Sequence, residues 1–324
     1  MIPDLFAEDL LAKPDVLTGL AAHLRAADPW AGSGIDADSR LVLLGMGSSH
    51  YANAVAAARL RALGVDAVAE LASSDVLPAV RPGTVVVAVS ASGGSAETLD
   101  AVSRYASRCP VVAMTNVDGS AIAADATHVV PMVAGEERGG VACRSFQHTL
   151  ALLLDLEARL TGSSAGRAAV ADVVERSAVA SADLLARRAE WLPRLAELAL
   201  GPDGTHLVAP ARRLSSAFQG ALMLREGPRR PAVGCETGDW SHVDVYLTKT
   251  TDYRLVLFAG SRWEPALLDW VAKRGTTLTA VGGDVPGAAY ALRYVDDDDD
   301  DVRLLTEVLV AELVAADAWS AQTA

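Results

Sequence analysis

The chain has 324 residues, 51% of them hydrophobic, and a formal net charge of −13. That length and apolar content provide for two globular domains with buried cores, and the negative charge argues against nucleic-acid or anionic-membrane partners, which select positive surface. No apolar run reaches membrane-spanning length, and the acidic start Met1-Ile2-Pro3-Asp4-Leu5-Phe6-Ala7-Glu8-Asp9 is unlike a secretion signal, so a cytoplasmic location is expected.

A helical segment is expected before the first strand, Leu41-Val42-Leu43-Leu44. This strand ends at the turn Gly45-Met46-Gly47-Ser48-Ser49, and an alanine-rich helix follows from Tyr51 to Leu63. After a short strand at Asp66 to Glu70, the β-branched stretch Val85-Val86-Val87-Ala88-Val89 fits a strand covered on both faces. It runs directly into Ser90-Ala91-Ser92-Gly93-Gly94-Ser95, behind which Ala96-Glu97-Thr98-Leu99 opens an amphipathic helix. Such a loop collects hydroxyls and backbone N–H groups at the positive end of a helix dipole, which is the chemistry of an anion site. The loop holds no lysine or arginine, so the expected guest is a phosphate held by hydroxyls and amides, with a sugar phosphate as the leading candidate. A plain strand-to-helix turn has the same composition.

Val111 to Thr115 and Thr127 to Met132 read as further strands. Alternating strands and helices call for a parallel sheet covered on both faces, with ligands at the carboxyl ends of the strands. From Phe146 the chain turns helical to Leu160 and again from Ala168 to Leu200, until Gly201-Pro202-Asp203-Gly204 breaks it. The alternation then resumes. Thr205 to Ala209, Tyr253 to Ala259 and Thr277 to Val281 are strands, Leu214 to Glu226 a helix, and Val302 to Trp319 a closing helix. The run Asp296 to Asp301 reads as a solvated, mutually repelling loop, and no metal is assigned to it. Cys109, Cys143 and Cys235 are odd in number and widely spaced, as free thiols would be. The expected fold class is α/β, with two doubly wound parallel-sheet domains of three-layer αβα type: a first domain over 1–160, a helical connector over 161–200 and a second domain over 201–324.

The two serine-rich turns at this distance resemble those of sugar isomerase (SIS) domains. Nearly the whole chain is similar to the isomerase half of the glutamine:fructose-6-phosphate amidotransferases, two SIS domains in tandem, without the glutaminase domain. The resemblance implies that Gly47, Ser48, Ser49, Ser90, Ser92, Gly93 and Ser95 hold the substrate phosphate, and that Val141-Ala142-Cys143 lines the sugar as the family's Val-Ala-Ser segment does. The family's helix Glu-Gly-Ala-Leu-Lys-Leu-Lys-Glu, which ends in a catalytic glutamate, corresponds to Gln219-Gly220-Ala221-Leu222-Met223-Leu224-Arg225-Glu226. Sixteen residues on, His242 matches the histidine that opens the sugar ring and reaches in from a neighbouring subunit, which implies a homodimer with shared sites. Gln219, Met223 and the segment Ser241-His242-Val243-Asp244 depart from the family's Glu, Lys and Lys-His-Gly-Pro. The chain's three lysines, Lys13, Lys249 and Lys273, match none of the family's functional lysines, and the tail that bears the family's Schiff-base lysine has no counterpart before the chain ends at Ala324.

Aldose-ketose isomerisation needs a base that shuttles a proton between adjacent carbons and a group that opens the ring. Glu226 and His242 are the candidates for these catalytic roles, and Glu236, Asp239 and Asp244 could orient or replace His242. Glu226 could equally be an ordinary helix-end glutamate and His242 a loop residue. Cys143 reads as a pocket-wall thiol, and Arg138 and Arg144 as surface arginines of which one could meet an anionic group. Without the lysine, isomerisation or deamination of a phosphorylated sugar or amino sugar is expected ahead of aminotransfer, with no cofactor. A non-catalytic sugar-phosphate-binding regulatory module is the alternative.

Overall fold

The computed structural model describes residues 1–162 and 164–323. In chain order the first part contains α1 (Pro3–Leu11), α2 (Lys13–Ala26), β1 (Arg40–Gly45), α3 (Gly47–Ala62), β2 (Ala67–Leu71), β3 (Thr84–Val89), α4 (Ala96–Ser103), β4 (Val111–Thr115), β5 (His128–Pro131) and α5 (Arg144–Leu160). The second contains α6 (Ser164–Ala186), α7 (Arg188–Ala199), β6 (Thr205–Ala209), α8 (Leu214–Glu226), β7 (Ala232–Glu236), α9 (Thr237–Trp240), β8 (Arg254–Phe258), α10 (Glu264–Arg274), β9 (Thr277–Val281), β10 (Tyr290–Leu292), α11 (Asp300–Thr306) and α12 (Val308–Thr323).

The strands form two five-stranded sheets, ordered β2-β1-β3-β4-β5 and β7-β6-β8-β9-β10. All pairings within them are parallel. Each sheet therefore has the order 2-1-3-4-5, in which the chain reverses its direction of travel between the first and third strands. Ligands of such sheets bind in the crevice that opens there. The central strands are apolar because both faces are covered: every residue of β3, β4 and β6 is buried. The first sheet's core joins Val42, Leu44, Val86, Ala88 and Val111 to Ala101 and Val102 of α4. The second sheet's core joins Val208, Leu255, Leu257 and Leu278 to Trp240, Leu267 and Val271.

The chain divides into two compact units, and the division does not follow chain order. One comprises Asp15–Glu137 and Ala142–Glu175; the other comprises Met1–Pro14, Arg138–Val141 and Arg176–Ala324. A single cut in the region of 160 to 200 would assign the first fourteen residues differently. They group with the second sheet because α1 lies on α12, where the Phe6 and Trp319 rings are 6.0 Å apart. Lys13 is fully buried in an ion pair with Glu312, and Gly139 donates its N–H to Asp9 Oδ2 at 2.7 Å.

Two strands, β7 and β10, carry no clear signal in the sequence. In β7, Gly234 interrupts the apolar pattern because a Cβ there would meet Phe218 Cδ1 at 2.7 Å and the backbone of Ala217 at 2.9 Å, so α8 packs directly on the strand. The helical run from Ala168 to Leu200 is two helices divided at Arg187, and the closing helix divides at Glu307.

Candidate functional site

β1 and β3 are hydrogen-bonded neighbours, with Leu44 opposite Ala88, so the turns that follow them open side by side at the first sheet's crevice. Gly47, Ser48 and Ser49 form the first turn of α3, half-buried. That turn is helical sooner than the sequence indicates, with Ser49 N donating to Met46 O at 3.0 Å. A Cβ on Gly45 would meet Ser49 Cβ at 2.8 Å and Asn53 Nδ2 at 3.0 Å, so the strand-to-helix turn closes only on glycine.

In the second turn Ser90 is buried and anchored through its N–H to Met114 O at 3.0 Å. Ser92 is exposed, and its Oγ accepts from Gly94 N at 3.3 Å. Gly93 has φ +65°, and a Cβ there would collide with Ser120 Oγ. Ser95 caps α4: its Oγ accepts from Thr98 N at 3.4 Å and donates to Glu97 at 2.9 Å. The exposed Glu97 is held below the usual carboxylate range by its own backbone N–H and by Ser95. The loop thus presents hydroxyls and the first amides of an eight-residue helix, with no basic side chain among them. Sequence reasoning passed over two neighbours, both on α3. His50 has a buried, unpartnered Nδ1, and burial lowers its pKa; it lines a cleft of about 380 Å³ with Glu70, Leu71, Ser73 and Ser74. Asn53 is fully buried with neither amide atom bonded. A histidine directly after Ser48-Ser49 was the available signal for the first; an asparagine inside an alanine-rich helix was the signal for the second.

Val141 and Cys143 are both buried. Cys143 is the residue before α5, where Glu137 caps the helix: its Oε1 accepts from Cys143 N at 2.7 Å and Arg144 N at 2.6 Å, and its Oε2 from Ser145 Oγ at 2.6 Å. Arg144 is not a surface arginine; it is buried and donates to Glu136 O. Arg138 is exposed and paired with Glu8. The three cysteines are free thiols.

Glu226 is the last residue of α8 and half-buried. Burial pushes its carboxyl above the ordinary glutamate range, against the opposing pull of Arg229 and Arg225. On the same helix Gln219 and Met223 are buried and touch each other, Nε2 to Sδ at 3.6 Å, an uncharged amide–thioether contact. Gly220 lets the helix sit on β6 and α12, since a Cβ would meet Leu207 at 2.7 Å and Ala311 at 2.8 Å. His242 is exposed beyond α9 and lines a cleft of about 410 Å³ with Glu236, Asp239, Ser241 and Trp263. Glu236 Oε2 caps the short α9 through Gly238 N at 2.6 Å and Asp239 N at 3.0 Å. Burial and the nearby Asp244 and Asp239 push the Cys235 thiol up to about 12, which marks a negative local field.

The second sheet's crevice, between β6 and β8, is built differently. Its turns carry Arg212 and Arg213 after β6, and Gly260 and Ser261 after β8. The amides of Gly260 and Ser261 are taken by the Glu264 carboxylate. Both arginines pair with Asp300, the fully buried Arg213 also with Glu307 at 3.1 Å. The aspartate run from 296 to 301 is therefore no solvated loop. Arg176 holds Asp296 and Asp299, Arg293 holds Asp297 at 2.6 Å, and Asp299 caps α11 through the amides of Asp301 and Val302.

Residues 35–156 match the model of the SIS domain. A glutamine–fructose-6-phosphate aminotransferase (isomerizing) of Aeropyrum pernix is 32% identical over 238 residues; the match covers 70% of this chain, and the chain spans 38% of that protein's length. Among solved structures, the C-terminal domain of glucosamine-fructose-6-phosphate aminotransferase from Francisella tularensis superposes with a TM-score of 0.82 at 17% identity, over 98% of this chain and 96% of that one. The tagatose-6-phosphate ketose/aldose isomerase of Escherichia coli superposes with a TM-score of 0.77 at 16% identity, over 98% and 93%. The chain carries a SIS domain and is similar to the isomerase half of these aminotransferases. No described helix is long and apolar enough to cross a membrane.

Proposed function

We propose that this SIS-domain chain is an isomerase or deaminase of a phosphorylated sugar or amino sugar. The observation that carries the reading is the first crevice: two adjacent turns of serines and helix-start amides, free of basic side chains, at the switch point of a parallel sheet. Gly47, Ser48, Ser49, Ser90, Ser92, Gly93 and Ser95 hold the phosphate, with Val141 and Cys143 as part of the wall that shapes the sugar site. The second sheet, with the same strand order, is a second SIS-type domain that supplies Glu226 and His242.

In this mechanism the Glu226 carboxylate removes the proton from the carbon next to the carbonyl and returns it to the neighbouring carbon. His242 takes the proton of the anomeric hydroxyl and gives one to the ring oxygen as the bond between the ring oxygen and the anomeric carbon breaks, leaving the open-chain carbonyl. A carboxyl raised by burial is matched to proton exchange near neutrality. A homodimer in which His242 serves the neighbouring subunit's site belongs to the same reading, and the exposed apolar Val243, Tyr246 and Leu247 beside it offer the surface for such a contact. The uncharged pair Gln219 and Met223 favours the one competing reading, a module that binds a sugar phosphate without converting it.

Thermal titration with fructose 6-phosphate, glucosamine 6-phosphate and inorganic phosphate tests the site. A ligand-dependent rise is expected in the wild type and lost in Ser90→Ala with Ser92→Ala. Turnover of the binding sugar should fall by about 10²–10⁴-fold in Glu226→Gln. Binding without turnover would establish the sensing module, and absence of any phosphosugar response in the wild type would sink the reading.

A further inference from the structure

The second sheet repeats the topology of the first, so it too has a crevice at its switch point. Three guanidinium groups converge there. A Cβ built on Gly260, whose φ is +117°, would meet Arg303 Nη1 at 2.8 Å, Arg212 Nη2 at 3.4 Å and Arg213 Nη2 at 3.5 Å. What they surround is a carboxylate. Asp300 accepts from Arg212 Nη2 at 3.0 Å, pairs with Arg213, and lies 3.8 Å from Arg303 Nη1. The remaining donors turn to backbone oxygens, Arg212 to Gly260 O at 2.9 Å and Arg303 to Gly282 O at 2.6 Å.

One group nearby is left over. Tyr294 is buried, its hydroxyl has no hydrogen-bond partner, and it lies beside Arg303 at Gly282, where a Cβ would be 3.5 Å from Arg303 Nε and 3.6 Å from the hydroxyl. Glu307, Arg213, Arg303 and Asp297 all act on that hydroxyl. An arginine fork, converging guanidinium groups and a spare hydroxyl donor form the donor set of an oxyanion site.

We propose that the second crevice is an oxyanion-binding site whose ligand is the chain's own Asp300 carboxylate. Asp300 is held at the site by the arginine-clamped run that precedes it, so it competes at the high effective concentration of a tethered ligand and keeps free phosphate out. Removing the carboxylate leaves Arg212 and Arg303, with Arg213 still paired to Glu307, facing the position it occupied. The aspartate run thereby confines phosphate to the first crevice, one site per chain.

The test uses the full chain with Ser90→Ala and Ser92→Ala, so that the first crevice does not report, and inorganic phosphate as probe against chloride at equal ionic strength. Without a further change, no saturable response is expected. With Asp300→Ala, a saturable rise in Tm is expected, about 3–6 °C at phosphate 100-fold above its Kd. Adding Arg212→Gln should abolish it. Asp300→Ser, which keeps a residue suited to a helix start, serves as the second form of the same experiment and should behave alike. The proposal is overturned by an equal rise with and without Arg212→Gln, or by no phosphate-dependent rise in either Asp300 variant, failure to fold at every phosphate concentration included.

Discussion

The turn after β3 and the turn after β8 leave the same position of the same topology, yet they have opposite contents. After β3, the serine turn exposes Ser92 and carries no basic side chain, and its helix start is capped locally: Ser95 Oγ takes the Thr98 amide and donates to Glu97. After β8, Glu264 takes the amides of Gly260 and Ser261, and Asp300 takes the arginines across the crevice. A parallel sheet with a switch point fixes where donors gather, and the residues in two short turns decide whether those donors bind a guest or brace the fold. The first crevice leaves Ser92 of its turn exposed, whereas the second closes its arginines on the chain's own carboxylates.

Exchanging a single residue on each side shows how deep that division runs. The largest effect is expected from Arg213→Met, which leaves Glu307 buried without its partner; loss of one member of a buried pair costs about 3–5 kcal/mol. Chemical denaturation should show this as a lower midpoint, and a change under about 1 kcal/mol would mean the second crevice contributes little to the fold. Next is Gly93→Ala, expected to cost about 1–3 kcal/mol because φ +65° and the Ser120 hydroxyl leave no room for a methyl group. It should also remove the phosphosugar response. An intact response at unchanged midpoint would show that the loop tolerates another shape.

The smallest effect concerns Glu226 and depends on pH. Its folded pKa lies above the ordinary glutamate value, so between those two values the folded state binds more protons than the unfolded one, and stability falls as pH rises through that window. Glu226→Gln removes this loss. Relative to wild type, the variant should gain stability on going from pH 4 to pH 8, and urea midpoints at the two values check it. A gain at pH 4 alone would reverse the sign and place the carboxylate in a favourable ion pair.

How much of this the sequence disclosed follows from the range of the interactions. β1, β3, β4, β6 and β9 were legible because continuous apolar runs buried on both faces leave a local trace. The serine-glycine turn between β3 and α4 was legible because its glycines and hydroxyls act within six residues. Strand β7 was hidden by Gly234, whose reason is the proximity of α8 rather than anything in its own segment. The aspartate run was misread for a similar cause: Arg176 lies 120 positions before Asp296 and Arg212 88 positions before Asp300, so like charges that repel in sequence are neutralised by residues that only the fold brings near. Glu226 and His242 were singled out only through the resemblance of a helix and its spacing to a known family. Trp263, by contrast, gains its meaning only from the cleft it lines.

The buried pair of Lys13 with Glu312 has a further consequence in time. Its members are 299 positions apart, and neither has access to solvent once they meet. At a synthesis rate of about 5–20 residues per second, the lysine emerges roughly 15–60 s before its partner exists. During that interval α1 has no α12 to lie on, and its apolar residues Phe6 and Leu10 remain available to other surfaces. Vectorial synthesis therefore leaves this unit incomplete until α12 has been made. A nascent chain stalled before residue 312 carries Lys13 and Phe6 without Glu312 and Trp319 to meet them.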